Sequence, residues 1–523
     1  MKDNELYRKI ERDRIYHELL FSISFSENEQ KNLDATKRKL VSNINEAFSG
    51  SELYLGFKFI GSAATGNYMR GKSDIDGVII LSNFDKQVFR ERATKISGLE
   101  NIVFQEECFI VNDKVDARMG EFDVSIGCIN GTFLPYDNLG ADLLMHPEFT
   151  LNRISENQKK DILLTKRFFR NLGLYGAKVG GFAIEQIIAY FGNFDNLLKH
   201  LKEDRTILID FSGKYRGPTN SMVVSYPYCG LDNLTKKVTQ DDFKIAVNYA
   251  RKIMGDPEIF LEDSRAFINR QFWSKRVKKL GEKEELSIPD IYLNRKENRT
   301  IKKEVNLVRG LRILDIGCAN GYSTIQINKR EFNEVYGVDV NEELIRRAQQ
   351  LTFKERRLDI HYINCEMISL PFKDDSFDVI YLKRAISNLP SQRKQREAIK
   401  EAFRVLKRSG KLYVLDLFKE GYDKLNQIRQ RFSLHPISYP YHCTLLTEEN
   451  LENMISGNLK IERKEDFTST YYLLSRVLYP KIADFLMAPV KNNSFWNYIF
   501  SFLPSPSIGS LGVNKLYVFR KNG

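Results

Sequence analysis

Two aspartates one residue apart, Asp74 and Asp76, stand near the end of the stretch Gly61 to Gly77, GSAATGNYMRGKSDIDG. The apolar Val78-Ile79-Ile80-Leu81 follows, which predicts a strand, and side chains two apart on a strand share a face. Two carboxylates that close repel each other. One or two Mg²⁺ ions joining them to a nucleotide's phosphates would turn the repulsion into a clamp for phosphoryl or nucleotidyl transfer. Upstream, Gly61 and Ser62 follow the apolar run Leu53 to Ile60, and the small Ala63-Ala64 then begins a short predicted helix; small residues at a helix start let phosphate oxygens reach backbone N–H groups. A third carboxylate is expected on a neighbouring strand. Asp123 offers itself in the alternating Glu121 to Ile126, whereas Asp113 and Asp116 lie in a segment that reads equally as a hairpin turn and its flank.

A second constellation lies in the other half. Leu311 to Gly321, LRILDIGCANG, is a buried strand running into a glycine turn and a helix. The next strand, Glu334 to Asp339, ends in a carboxylate that opens another helix. This is the layout of a nucleoside site at the carboxyl ends of a parallel sheet: Gly317 and Gly321 admit the ligand's tail, and Asp339 accepts both ribose hydroxyls.

The order Gly-Ser, short helix, Asp-x-Asp on a strand resembles the polymerase-beta-like nucleotidyltransferases. Leu174-Tyr175-Gly176-Ala177, then Gly181-Phe182 through Tyr190-Phe191-Gly192-Asn193-Phe194, resembles the central domain of the archaeal-type (class I) CCA-adding enzymes, and the likeness fades near Met254. The resemblance implies catalytic, metal-holding roles for Asp74, Asp76 and Asp123, with Asp116 in reserve. It implies that Gly61 and Ser62 bind the triphosphate of CTP or ATP, and Lys166 and Tyr175 the nucleotide's phosphates or sugar. His146 is a weaker triphosphate candidate and reads as a partly exposed histidine at a helix start. Tyr226 stands where the family has an aspartate.

The D-x-G-C-x-x-G form with Asp339 resembles the Rossmann-like S-adenosylmethionine-dependent (class I) methyltransferases; a nicotinamide-binding domain would carry G-x-G-x-x-G instead. Cys365-Glu366 with Leu370-Pro371-Phe372 matches that family's adenine-side loop, and Leu311 to Leu417 is the span of the likeness, with Lys515 to Phe519 as the last strand. The cofactor residues so implied are Asp315, Gly317, Gly321, Asp339 and Glu366. Lys383 to Asn388 would line the methyl acceptor's pocket, and His435 and His442 are bases by residue type alone.

The chain's 523 residues require more than one core. The expected architecture is α/β and multidomain: a polymerase-beta-like catalytic domain over 1–140, a helical central domain over 141–260, a charged linker over 261–305 and a methyltransferase domain over 306–523. An aromatic-rich insertion, about 468–508, reads as a cap, an interdomain contact or extra core. The net charge of +12 suits an anionic partner such as a nucleotide or RNA. Six dispersed cysteines suggest neither zinc nor a disulfide framework but a reducing compartment. The amino-terminal sequence lacks a signal peptide's apolar core, and no run is long enough to span a membrane, so a cytoplasmic enzyme is expected. Its expected partners are a nucleoside triphosphate and a small-molecule or peptide acceptor, with RNA as the alternative.

Overall fold

The computed structural model describes residues 2–70, 74–106, 113–130, 139–219, 221–227, 232–281, 283–305, 309–328, 333–455, 459–505 and 511–521. Ser73, Cys108, Cys229 and the expected exit from the first sheet at Gly131 to Tyr136 lie outside them. Of the described cysteines, Cys128, Cys318, Cys365 and Cys443 are free thiols. No helix among the described residues is long and apolar enough to cross a membrane. The chain divides into two compact units, Met1–Ser264 and Arg265–Gly523.

The first unit opens with helices Lys2–Ile23 and Glu27–Phe48, as the periodicity predicts. Ser26 and Glu29 form a reciprocal capping box at the start of the second, and its buried Leu33, Leu40, Ile44 and Phe48 fall on one stripe. That stripe packs against a sheet of β1 (Tyr54–Phe59), β2 (Asp74–Leu81), β3 (Glu100–Glu106), β4 (Asp113–Met119) and β5 (Phe122–Asn130), in the order β1-β2-β5-β4-β3. Alternation on β2 buries Ile75 in this core and turns Asp74 and Asp76 to the other face. Asp113 and Asp116 belong to β4 rather than to a turn. Helices Leu139–Arg153, Gln158–Asn171, Gly181–Phe191, Phe194–Lys202 and Gln240–Gly255 follow, with a short parallel pair, β6 (Ile207–Ile209) and β7 (Met222–Val224).

The second unit is built on β8 (Arg312–Ile316), β9 (Glu334–Asp339), β10 (Ile360–Asn364), β11 (Phe377–Lys383), β12 (Leu406–Leu417), β13 (Leu459–Glu465) and β14 (Asn514–Lys521), ordered β10-β9-β8-β11-β12-β14-β13. The first five run parallel, and β14 runs antiparallel between β12 and β13. The strand order reverses between β8 and β11, and such a switch point opens a crevice at the strands' carboxyl ends.

One expectation is corrected here and another is met in part. The stretch 261–305 is folded structure, not a linker: helix Ile291–Val305 buries Leu293, Ile301 and Val305 together with Asn294, Glu297 and Asn298. Its charged composition imitates a solvated segment because its buried polar groups have partners, such as Asn294 and Asn298, which accept from the Lys383 ammonium. The region 468–508 is mixed. Tyr471 and Tyr472 are core, bonded to Asp290 and Asn514, whereas Phe485, Phe495 and Trp496 are exposed. The edge strand β13, with the sequence LKIERKE, escapes a reading based on apolar alternation because its residues are mostly charged.

Candidate active sites in the two units

Strand pairing gathers the first set of carboxylates. β2 and β5 run parallel with Asp74 opposite Asp123 and Asp76 opposite Ser125, and β5 pairs with β4 so that Asp123 faces Arg118 and Ser125 faces Asp116. Asp74, Asp76, Asp116, Asp123, Lys114 and Arg118 line one open cleft of about 360 Å³. Asp123 is 71% exposed at its side chain, and Arg118 Nε lies 3.5 Å from its Oδ1. Asp116 is engaged elsewhere, accepting from Gln105 Nε2 at 2.6 Å and pairing with Lys114 at 3.1 Å. Asp113 is buried in a two-bond pair with Arg90, at 2.6 and 3.0 Å. Register therefore sets Asp123 directly beside Asp74 and leaves Asp116 one strand further away. Among the described residues no three carboxylate, histidine or cysteine groups already converge as a metal cluster. The donor set still suits a hard divalent cation, since its oxygens come from three aspartates on one face of adjoining strands, in a cleft open to solvent.

The nucleotide-side residues meet at the same place. A side chain at Gly61, whose φ is +53°, would start 3.8 Å from Asp76 Oδ2, so the glycine brings the turn against that carboxylate. Lys166 Nζ donates to Ser62 Oγ at 2.9 Å and to the Asn67 carbonyl at 2.7 Å, joining groups 104 residues apart in sequence. Tyr175 Oη and Lys166 Nζ flank Gly181, each within 3.8 Å of where a Cβ would stand. Burial pushes the Tyr175 hydroxyl up to about 12, and Asp74 and Asp76 act on it in the same direction. Buried Glu185 accepts from Thr65 (3.1 Å), Asn67 (2.9 Å) and Thr150 (2.5 Å), pinning the Gly61 to Asn67 segment to helix Gly181–Phe191.

Arg170 was not singled out from sequence. Burial lowers its pKa while Tyr175 and Asp74 raise it, which sets it among the candidate groups, four residues beyond Lys166 on the same helix. That i, i+4 relation was the available signal. His146 is corrected: it sits inside helix Leu139–Arg153, 6% exposed, stacked on Phe182 at 3.5 Å and 6.1 Å from Tyr226.

In the second unit, Asp315, next to last in β8, is almost fully buried and accepts from Thr324 Oγ1 at 2.7 Å. Burial pushes its carboxyl up to about 6. Gly317 has φ +80°, and a Cβ there would meet Ala385 Cβ at 2.6 Å; at Gly321, φ +73°, it would meet Tyr362 Oη at 2.5 Å. Both glycines are thus required for the turn to pass. Asp339 accepts from the Ala319 N–H at 3.0 Å and the Asn341 N–H at 2.9 Å, so it holds the glycine turn from the end of β9. Burial raises its pKa. Cys365 N donates to the Asp339 carbonyl at 3.2 Å, bringing the end of β10 alongside, and Glu366 follows with its side chain exposed.

Beyond β11, Lys383 donates to Asn294 (2.6 Å), Asn298 (2.7 Å) and Ser323 (2.8 Å), and burial brings it down to about 8. His435 is exposed, whereas His442 stacks on Phe272.

Comparison with known proteins divides the chain in the same way. Residues 160–261 match the family described as tRNA nucleotidyltransferase, second domain, and residues 314–414 the family described as methyltransferase domain. A CCA-adding enzyme of Pyrobaculum islandicum is 24% identical over 261 residues, covering 47% of this chain and 62% of the relative. An O-methyltransferase of Aspergillus nomiae is 33% identical over 124 residues, 24% of this chain and 54% of the relative. A ubiquinone/menaquinone biosynthesis C-methyltransferase of Vibrio vulnificus is 30% identical over 129 residues, 24% of this chain and 48% of the relative. The chain therefore spans about half to three fifths of the length of these relatives. Its first half resembles the archaeal-type CCA-adding nucleotidyltransferases, and its second half the S-adenosylmethionine-dependent methyltransferases.

Proposed function

We propose that this chain, with a tRNA nucleotidyltransferase-type domain and a methyltransferase domain in succession, is a bifunctional transferase. One half moves a nucleoside monophosphate from CTP or ATP to an acceptor; the other methylates an acceptor in the same pathway. The reading rests above all on the pairing of Asp74 with Asp123 across β2 and β5, with Asp76 beside Gly61 and within reach of the Ser62–Lys166 pair.

In the first half, Asp74, Asp76 and Asp123 would hold Mg²⁺, which supplies charge neutralisation at the phosphates. Lys166, Ser62 and Tyr175 orient the triphosphate, and Asp123, the most open of the acids, takes the acceptor hydroxyl's proton. The acceptor oxygen bonds to the α-phosphorus, the bond to the bridging oxygen breaks, and pyrophosphate leaves. In the second half, S-adenosylmethionine supplies the methyl group when bound. Asp339 would accept the ribose hydroxyls, Gly317 and Gly321 admit the cofactor's tail, and Glu366 would meet the adenine amino group. The acceptor's nucleophilic atom displaces the sulfur and sheds its proton, and orientation contributes most of the rate.

The favoured acceptor is a small molecule, peptide or nucleotide metabolite. A second reading, addition to an RNA 3′ end followed by methylation, draws on the family matched over 160–261 and on the net charge of +12. The test is mass spectrometry of a host extract incubated with the protein, labelled nucleotides and labelled S-adenosylmethionine. A product carrying both labels is expected, and incorporation of neither would overturn the reading. RNA binding would weaken steeply with salt, binding of a small acceptor would not.

A further inference from the structure

The aromatic-rich insertion carries apolar side chains that the core does not use. Helix Tyr479–Phe485 and helix Phe495–Phe500 expose Ile482, Phe485, Phe495 and Trp496, and the segment joining them exposes Leu486 and Met487. Phe485 is 85% exposed and Met487 95%. Apolar residues scattered singly over a surface are ordinary, but a run as dense as this marks a face that meets something apolar.

The face is built rather than slack. Helix Tyr479–Phe485 closes with the Ala488 N–H donating to the Ala483 carbonyl at 2.8 Å and the Met487 N–H to the Asp484 carbonyl at 3.1 Å, a turn that holds Met487 at φ +51°. Glycine takes that conformation without strain; a methionine does not. Met487 therefore strains the turn while its side chain, almost wholly in solvent, adds nothing to the core. The second helix is tied down as firmly. Its Ser494 hydroxyl accepts from the Asn497 N–H at 3.2 Å, Lys296 Nζ donates to the Leu503 carbonyl at 3.0 Å, and Arg299 Nη2 donates to the Ser501 carbonyl at 2.8 Å.

The charge around this face is of one sign. Lys296, Arg299 and Lys303 recur at spacings of three and four along helix Ile291–Val305 and so share a side of it, and Lys491 lies between the two exposed helices. Among the described residues none of these four makes an ion pair with a carboxylate. The one carboxylate over 479–503 is Asp484, 3.8 Å from Lys481. Cation and aromatic surface meet directly where the Arg299 guanidinium lies 4.5 Å from the exposed Phe502 ring. An occupant must therefore be apolar inside and anionic at its rim. A bilayer with anionic headgroups is both, since aromatic and aliphatic side chains enter its headgroup boundary while basic ones stay at the phosphates. A second copy of the chain fits worse, because a two-fold contact through this face would set unneutralised cations against their own counterparts.

We propose that the segment 479–503 docks the protein on a membrane leaflet bearing anionic headgroups, with Phe485, Leu486, Met487 and Trp496 entering the leaflet and Lys303 and Lys491 at the headgroup phosphates. Such docking is peripheral, needs no spanning helix and is independent of either transfer reaction.

The full-length protein is floated with vesicles of phosphatidylcholine alone or of phosphatidylcholine mixed with phosphatidylglycerol. Binding to the mixed vesicles is expected to exceed binding to the neutral ones ~10-fold or more. In F485S/L486S/M487S, whose altered side chains lie in solvent, binding to the mixed vesicles should fall ~10-fold or more, and in K303Q/K491Q the preference for them should shrink. The chain has two tryptophans, so W273F leaves Trp496 as its single one, and its emission should shift to the blue on the mixed vesicles. No binding to either vesicle, equal binding to both, or unchanged binding in the triple variant would overturn the proposal. A wild-type dimer that the triple variant dissociates, seen by sedimentation, would overturn it too and give the face to a second copy.

Discussion

In the first unit Asp74, Asp76 and Asp123 line an open cleft, with 71% of the Asp123 side chain in solvent. In the second, Asp315 is 2% exposed and Asp339 already accepts two backbone N–H groups. Both sets stand at or near strand ends, and the difference lies in what each carboxylate has left to offer. Open oxygens keep lone pairs for a cation and a phosphate. Buried ones are committed to the turn that shapes a binding site, at the energetic cost of desolvating a charge. The same residue type is thus left open to solvent in one unit and tied into a turn in the other.

The contrast breaks most visibly if the open acids are dispensable. Asp74→Ala with Asp76→Ala is expected to lower Mg²⁺-dependent pyrophosphate release ~10³-fold or more, while S-adenosylmethionine binding persists because its site belongs to a separate core. Pyrophosphate release at the wild-type rate in the double variant would contradict the metal assignment.

The next effect concerns the acceptor. Offered tRNA lacking its terminal CCA, with CTP and ATP at physiological salt, the protein is expected to add nucleotides poorly. The likeness to CCA-adding enzymes covers 62% of the Pyrobaculum relative, and in this chain a methyltransferase domain follows instead. Fewer phosphate contacts mean weaker and less salt-dependent RNA binding. Efficient ordered addition of three nucleotides would promote the RNA reading to first place.

In the second unit, Asp339→Ala should weaken S-adenosylmethionine binding ~10- to 100-fold by calorimetry, through loss of the ribose acceptor and a slackened glycine turn. An unaltered affinity would mean that the cofactor lies elsewhere.

The smallest effect tests the architectural role directly. The Asp315 carboxyl, about 6 when folded against 3.8 as its ordinary value, retains a proton that the unfolded chain has released, so its contribution to stability falls as pH rises between those values and levels off above. Asp315→Asn removes the buried charge. It should therefore stabilise the unit by on the order of 2 kcal/mol at pH 7, with a gain in Tm that grows from about pH 4 to about pH 6. A variant that melts lower at every pH would show that the carboxylate's bond to Thr324 outweighs its desolvation.

Much of both sites could be read from local sequence. Alternation on β2 is local, and so is the glycine turn after β8, where Gly317 and Gly321 take positive φ; both follow from backbone geometry within a few residues. The periodic helix Lys2–Ile23 and the capped helix Glu27–Phe48 were equally legible. Periodicity also misleads: the charged 261–305 stretch and the charged edge strand β13 lack an apolar pattern, yet both are folded, because buried charges with partners and edge positions need none.

Everything that depended on distance along the chain waited for the tertiary structure. The family resemblance already preferred Asp123 to Asp116, but that Asp123 stands opposite Asp74 and Asp116 one strand further off is set by register between strands some 50 residues apart. The Lys166–Ser62 bond, the burial of His146 in mid-helix and the stacking of His442 on Phe272 arise likewise from packing between remote segments. Sequence patterns carry the direction in which a side chain points, because that is set by the local backbone period. Which other side chain it meets is set by how whole elements dock, and that is a property of the folded core.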